Sequence, residues 1–169
     1  QTERWKVDAG HSSVLFRIKH ADTAWFFGRF IDFEGVVEYD PGDPGACSVE
    51  LEVLADSVRT WSKARDDRLR SPDFFNTKQF PRIVFTSTAV ESTEEGVLQV
   101  SGVLDFLGRK KPVEFRVEKT GQGRGPLGDE RIGFYGELTI RRTDFGNDTY
   151  VAQKGLGDEV RLLISLEAV

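Results

Sequence analysis

"KPVEFRVEK", residues 111–119, sets Val113, Phe115 and Val117 against Glu114, Arg116 and Glu118 without a break. A period of two marks a strand with one face on a core and the other in water. The same pattern recurs in both directions along the chain. "SVLFRIKH" (13–20) opposes Val14, Phe16 and Ile18 to Arg17 and Lys19, and "CSVELEV" (47–53) opposes Val49, Leu51 and Val53 to Ser48, Glu50 and Glu52. "RIGFYGELTIRR" (131–142) offers Ile132, Phe134, Leu138 and Ile140, and "DEVRLLISLEAV" (158–169) offers Val160, Leu162, Ile164 and Leu166. "RIVFTSTAV" (82–90) and "VLQVSGVLDF" (97–106) are less regular. Turn-rich stretches separate them, the longest being the glycine-rich "TGQGRGPLGDE" (120–130), which reads as a loop. About eight antiparallel strands, nearly all with a polar outer face, predict an all-β antiparallel barrel rather than a sandwich.

One helix interrupts the strands. Ser62 is placed to cap it and Pro72 to stop it, giving residues 62–71. Asp66 and Arg70 are four apart, and Asp67 and Arg70 three apart, so these charges are expected to pair within the helix. Arg65 and Arg68 share a face and are left free. Asp66 and Asp73 are the best acid pair for proton transfer, but a salt bridge and a cap are the favoured account of them.

The bulk numbers narrow the function. A chain of 169 residues, 38% hydrophobic and 30% charged, fits one domain spanning 1–169. Its 23 basic and 28 acidic side chains leave a net charge of −5, which argues against nucleic acid as a main partner. Cys47 stands alone, so no internal disulfide or cysteine zinc cluster forms. His11 and His20 have opposite strand parity, so no metal site is expected. HExxH, GxSxG, P-loop and CxxC signatures are all absent, and no catalytic residue is nominated. "NDT" (147–149) matches a glycosylation sequon, a three-residue pattern that chance often supplies. With no methionine and a first residue of Gln1, the chain reads as a processed product, consistent with export.

Aromatic residues are the stronger clue. Of thirteen phenylalanines several cluster, Phe26, Phe27, Phe30 and Phe33 with Trp25, then Phe74, Phe75 and Phe80. "AWFFGRF" (24–30) reads as a loop or strand end, and either a binding surface or core packing would use it.

The motifs "WKVDAGHSSVLFRIKH", "GRFIDFEG", "RDDRLRSPDFFNTKQFPRIVFTST", "GVLDFLGRKKPVEF", "RIGFYGELTIRRTDFG" and "DEVRLLISLEAV" resemble, in order and spacing over nearly the whole chain, the YceI-like family. The resemblance implies a lipocalin-like barrel with a helix near one mouth, no established catalysis, and a long apolar amphiphile as ligand, polyisoprenoids foremost. It also implies a homodimer and a periplasmic or secreted location. Where the family usually carries His and Asp this chain has Arg68 and Asn76, and "ADTAWFF" replaces a less aromatic loop.

On this reading the helix is a lid. Phe16, Ile18, Phe30, Phe33, Phe85, Phe115, Phe134 and Ile164 line an apolar tunnel, while Leu69, Phe74 and Phe75 plug its mouth. His20, Arg65 and Arg68 are head-group candidates. The expected ligand is a polyisoprenoid, an isoprenoid quinone or another long-chain lipid. No other cofactor is implied, and a transient membrane contact is expected. An enzyme on an apolar substrate would instead show titratable groups converging inside the barrel. An interaction module would show a solid core and use the aromatic stretch.

Overall fold

The alternating segments form a single antiparallel sheet that curls on itself. The computed structural model describes residues 1–169. Its strands are β1 (Glu3–Lys6), β2 (Ser13–His20), β3 (Ala24–Phe30), β4 (Phe33–Tyr39), β5 (Ser48–Leu54), β6 (Val58–Arg59), β7 (Arg82–Glu94), β8 (Val97–Phe106), β9 (Arg109–Arg124), β10 (Glu130–Arg141) and β11 (Leu156–Ala168). The order across the sheet is β1-β4-β5-β7-β8-β9-β10-β11-β2-β3-β6. Eleven strands therefore stand where period-two reading marked about eight. β1 and β6 are too short to show a period. β4 has Gly35 in an inward position. "AWFFGRF" is the strand β3, hidden because aromatics occupy both of its faces. The glycine-rich 120–130 stretch is mostly hairpin: β9 runs to Arg124 and β10 starts at Glu130.

On one flank the curl is closed by backbone bonds. Val7 bridges Ala168, Lys6 N–H donates to the Val169 carbonyl at 2.7 Å, and Asp8 N–H donates to the Glu167 carbonyl at 2.8 Å. Since β1 also pairs with β4, the last strand is joined through it to the other side of the sheet. On the opposite flank β6 covers β3 only at Arg29 and Phe30. There residues 60–80 take over. The chain reverses at Trp61 (φ +61°), and α1 (Lys63–Leu69) starts at Ser62, whose Oγ accepts from Arg65 N–H at 3.4 Å. Phe75 then reaches into the barrel end, its ring 6.3 Å from Phe16, 5.5 Å from Phe30 and 5.9 Å from Phe106.

The core lies on the inner faces. Trp5, Val14, Phe16, Phe30, Phe134 and Leu166 belong to one buried cluster, and Leu104, Phe106, Ile140 and Phe145 form a smaller one near the lid. Gly28, opposite Phe16 in the β2–β3 register, makes room for its ring: a Cβ there would sit 2.1 Å from Phe16 Cζ.

Candidate functional site

The inner faces do not meet. An eight-stranded barrel has an interior that side chains just fill, and this wider curl leaves a cavity of about 760 Å³, within the range of small-molecule sites. Of its 41 lining residues 32 are hydrophobic, so the wall between the two ends is apolar. The tunnel residues Phe16, Ile18, Phe30, Phe85, Phe115, Phe134 and Ile164 line it, as do Leu69, Phe74 and Phe75 of the lid and the polar trio His20, Arg65 and Arg68. Phe33 does not. As the first residue of β4 it sits just past the corner at Ile31 and Asp32, where Ser57 Oγ accepts from both backbone N–H groups, and its ring is absorbed into the core. Phe26, on the inner side of β3, lines the cavity although no parity could be read for it from the aromatics on both faces of that stretch.

The polar lining divides by location. Glu38 and Ser48 are at the rim away from the lid. They are spent on each other at 3.1 Å, and Glu38 also pairs with Arg4 at 3.2 Å. Of the other polar side chains lining the cavity, Tyr39 stands beside Glu38 on β4, while His20, Arg65, Arg68, Arg142, Asn147 and Tyr150 gather at the lid end.

At that end the helical-spacing expectations fail for several charges. Asp66 does not pair with Arg70. It is buried and accepts from Thr60 N–H at 2.8 Å and Thr60 Oγ1 at 2.5 Å, because the reversal at Trp61 folds Thr60 back over the helix. Asp67 and Arg70 do pair, at 3.0 Å, and Lys63, 2.7 Å away, adds to the pull that holds the Asp67 carboxyl below its ordinary range. Arg65 and Arg68 are not free. Arg65 donates to the Thr60 carbonyl and to Thr60 Oγ1 (2.8 Å) and lies 4.6 Å over the Phe26 ring. Arg68 donates to the Tyr150 hydroxyl at 2.8 Å and pairs loosely with Asp73 at 3.4 Å. Neither Asp66 nor Asp73 lines the cavity, so they form no acid–base pair there.

Arg142 is the residue the sequence reading missed. It is buried and donates to four oxygens: the Gly157 carbonyl (3.0 Å), Asn147 Oδ1 (2.7 Å), the Thr149 carbonyl (3.0 Å) and the Leu156 carbonyl (3.4 Å). No carboxylate pairs with it, and burial pulls its pKa below the ordinary value. Parity was the available signal, since Arg142 continues the inward series of Phe134, Leu138 and Ile140. Asn147 carries the network onward, donating to the Asp73 carbonyl at 3.0 Å and the Phe74 carbonyl at 3.1 Å, while Thr149 Oγ1 donates to the Asp73 carbonyl at 2.5 Å. The sequon residues thus clamp the lid to the β10–β11 connection, with the Asn147 side chain buried.

Other reactive groups lie elsewhere. Cys47 is buried, and burial pushes its thiol up from the ordinary value, away from a nucleophile. His11 is at the far end, 2.8 Å from Asp8. Asp8, His11 and Glu167 cluster there, but the Arg131 guanidinium already sits between Asp8 (2.9 Å) and Glu167 (2.5 Å) as their cation.

Comparison with known proteins agrees with this geometry. The YceI-like domain model matches residues 5–168. "Protein YceI" of Salmonella newport (strain SL254) is 38% identical over 167 residues, covering 98% of this chain and 86% of the relative. Burkholderia cenocepacia BcnA superposes with a TM-score of 0.89 at 25% identity, over 96% of this chain and 99% of that one. A polyisoprenoid-binding domain from Saccharophagus degradans, implicated in plant cell wall breakdown, shares the fold at a TM-score of 0.74 and 17% identity, with 97% of each chain covered.

Proposed function

The chain belongs to the YceI-like family, and on that premise we propose that it binds and carries one long-chain apolar amphiphile, a polyisoprenoid, isoprenoid quinone or similar lipid, without transforming it. The observation that carries this reading is the segregation within the cavity: an apolar wall with its available polar groups at one end matches a molecule with a long tail and a small head. The polyisoprenoid-binding activity of the Saccharophagus degradans domain supports the same ligand class. Burying a methylene contributes roughly 0.8 kcal/mol, so each five-carbon isoprene unit supplies about 3–4 kcal/mol gross before ordering costs. A few units suffice without a polar contact. The head lies at the lid, where Arg65 and Arg68 each keep N–H groups beyond those bonded to Thr60, Tyr150 and Asp73. Nothing titratable converges in the apolar middle, which favours carriage over catalysis. The reading also has the protein act as a homodimer in the periplasm or outside the cell. Cell fractionation and sedimentation test those two points.

The direct experiment is organic extraction of protein purified without detergent, followed by mass spectrometry. One many-carbon lipid per chain is expected, with Ile164→Glu emptying the cavity and Arg161→Glu leaving it filled, because only Ile164 faces inside. Extracts without lipid, together with failure of the protein to take up an added polyprenyl alcohol, would overturn the proposal.

A further inference from the structure

The outer side of the β2–β3 hairpin carries a second feature that the cavity does not use. In the hairpin register Trp25 stands opposite Lys19, Phe27 opposite Arg17 and Arg29 opposite Leu15, so these six side chains share one face. β6 adds Arg59 beside Arg29, and Trp61 follows two residues later, at the reversal before the lid. Buried Thr60 forces Trp61 outward. The rings are open to solvent: Trp25 is 48% exposed, Phe27 46% and Trp61 78%. Elsewhere on the molecule such exposed aromatics are rare, Tyr150 at the mouth being the other one.

Charge on this face differs from that of the chain as a whole. The protein is net −5, yet Arg17, Lys19, Arg29 and Arg59 have no carboxylate within 4 Å. Of the acids on the neighbouring strands, Glu137 is taken by Arg161 at 2.7 Å and Glu159 of β11 makes no ion pair, while Asp22 sits out in the hairpin turn, so cations outnumber free acids on this face. Arg17 and Lys19 lie 4.4 and 4.6 Å from the Trp25 ring, so cations and indole form one unit.

We propose that this face docks the protein on an anionic lipid bilayer, with Trp25, Phe27 and Trp61 entering the interface and Arg17, Lys19, Arg29 and Arg59 meeting the head groups. Indole rings settle where an apolar body and a wet edge are both satisfied, and each basic residue near an anionic surface adds to the attraction. A second copy fits less well. A two-fold contact through this face would bring the four unpaired cations of one protomer against those of its partner. Single-stranded nucleic acid draws on open ring faces for base stacking, and Arg17 and Lys19 already lie over the Trp25 ring. Position adds a reason. Phe26 and His20 of the same hairpin line the cavity at the lid end, so docking on the outer face brings the mouth to the lipid surface. This last consequence rests on the carrier reading; the docking itself does not.

The test is sedimentation with vesicles of phosphatidylglycerol and phosphatidylcholine against vesicles of phosphatidylcholine alone, in about 150 mM salt, a Debye length near 8 Å. Binding to the anionic vesicles is expected, with a blue shift of tryptophan fluorescence. The double variant Lys19→Gln, Arg29→Gln should weaken it about 25-fold, from roughly fivefold per cation. Trp25→Ser with Trp61→Ser should remove the blue shift and most of the binding. Circular dichroism and extracted lipid content should stay at wild-type values in both variants. No preference for anionic vesicles, or equal binding by the variants, overturns the proposal. So does burial of Trp25 and Trp61 in a dimer, or binding to a thymidine oligonucleotide that outcompetes the vesicles. Protein that docks yet carries no lipid leaves this inference standing and removes the carrier reading; lipid-filled protein that ignores vesicles does the reverse.

Discussion

At the end of the barrel away from the lid, Arg131 of β10 reaches Asp8, Asp129 and Glu167 at 2.9, 2.7 and 2.5 Å, and the backbone of β1 is bonded to the end of β11. At the lid end another arginine, Arg142, reaches only carbonyl and amide oxygens, and the chain it organises is bonded to the lid through Asn147 and Thr149. The first end joins strand to strand and backs the join with half-buried charge pairs. The second joins a loop to a loop through buried neutral acceptors, with no strand ladder between β3 and residues 60–80. A ladder opens only with the sheet. The Asn147 bonds at the lid end lie outside any ladder, so they can break while the barrel stays intact. The cavity's basic groups collect at this separable end, and the carrier reading proposed above therefore puts lipid entry there.

Removing Arg142 should give the largest effect. Arg142→Leu leaves four oxygens around a buried site without a donor and should cost about 3–4 kcal/mol in urea or guanidinium unfolding, since each charge-assisted bond contributes roughly 1.5–3 kcal/mol and they share one site. A loss below about 1 kcal/mol would show that water replaces the guanidinium and that the lid network is expendable.

Next in size is the head-group contact. Arg65→Ala with Arg68→Ala should weaken a polyprenyl phosphate by about 1–3 kcal/mol and leave the matching alcohol nearly unchanged. Equal weakening of both ligands would mean that these arginines only anchor the lid through Thr60 and Tyr150.

The smallest effect belongs to the charge clasp. Hydrogen bonds from His11 and then Arg131 hold the Asp8 carboxyl down at about 2, below the usual value near 3.9. The unfolded chain therefore takes up that proton first on acidification. The stability Asp8 contributes is full above about pH 4 and is lost as the pH falls toward 2. Asp8→Asn should flatten acid unfolding slightly across that window, and the difference should shrink in high salt because the half-buried group is still reached by solvent. An unchanged acid profile would show that the far end is held by its backbone alone.

How much of this was legible in sequence follows the same division. Strands with one wet face announced themselves, so the inward Phe16, Ile18, Phe85, Phe115, Phe134 and Ile164 were all readable by parity. β3 was not, since Trp25 and Phe27 outside are as apolar as Phe26 and Phe30 inside. The lid helix was bounded by its cap and its proline to within two residues, while helical spacing misassigned several of its charges. Asp66 turns to Thr60, upstream of the helix, and Arg68 to Tyr150, 82 residues away, and local spacing holds no information about either. Phe33 was placed in the tunnel on composition, while the corner that withdraws it depends on Ser57. Arg142 broke an apolar series, and a buried charge at the end of an inward row was the signal to follow.

The measurement that bears most directly on lid-end entry is hydrogen exchange of the lipid-stripped protein before and after reloading with a polyprenyl alcohol. Residues 60–80 and 142–156 should exchange more slowly when loaded, while 1–12 and 166–169 keep their rates. Slowing confined to the far end, or no change anywhere, would contradict it.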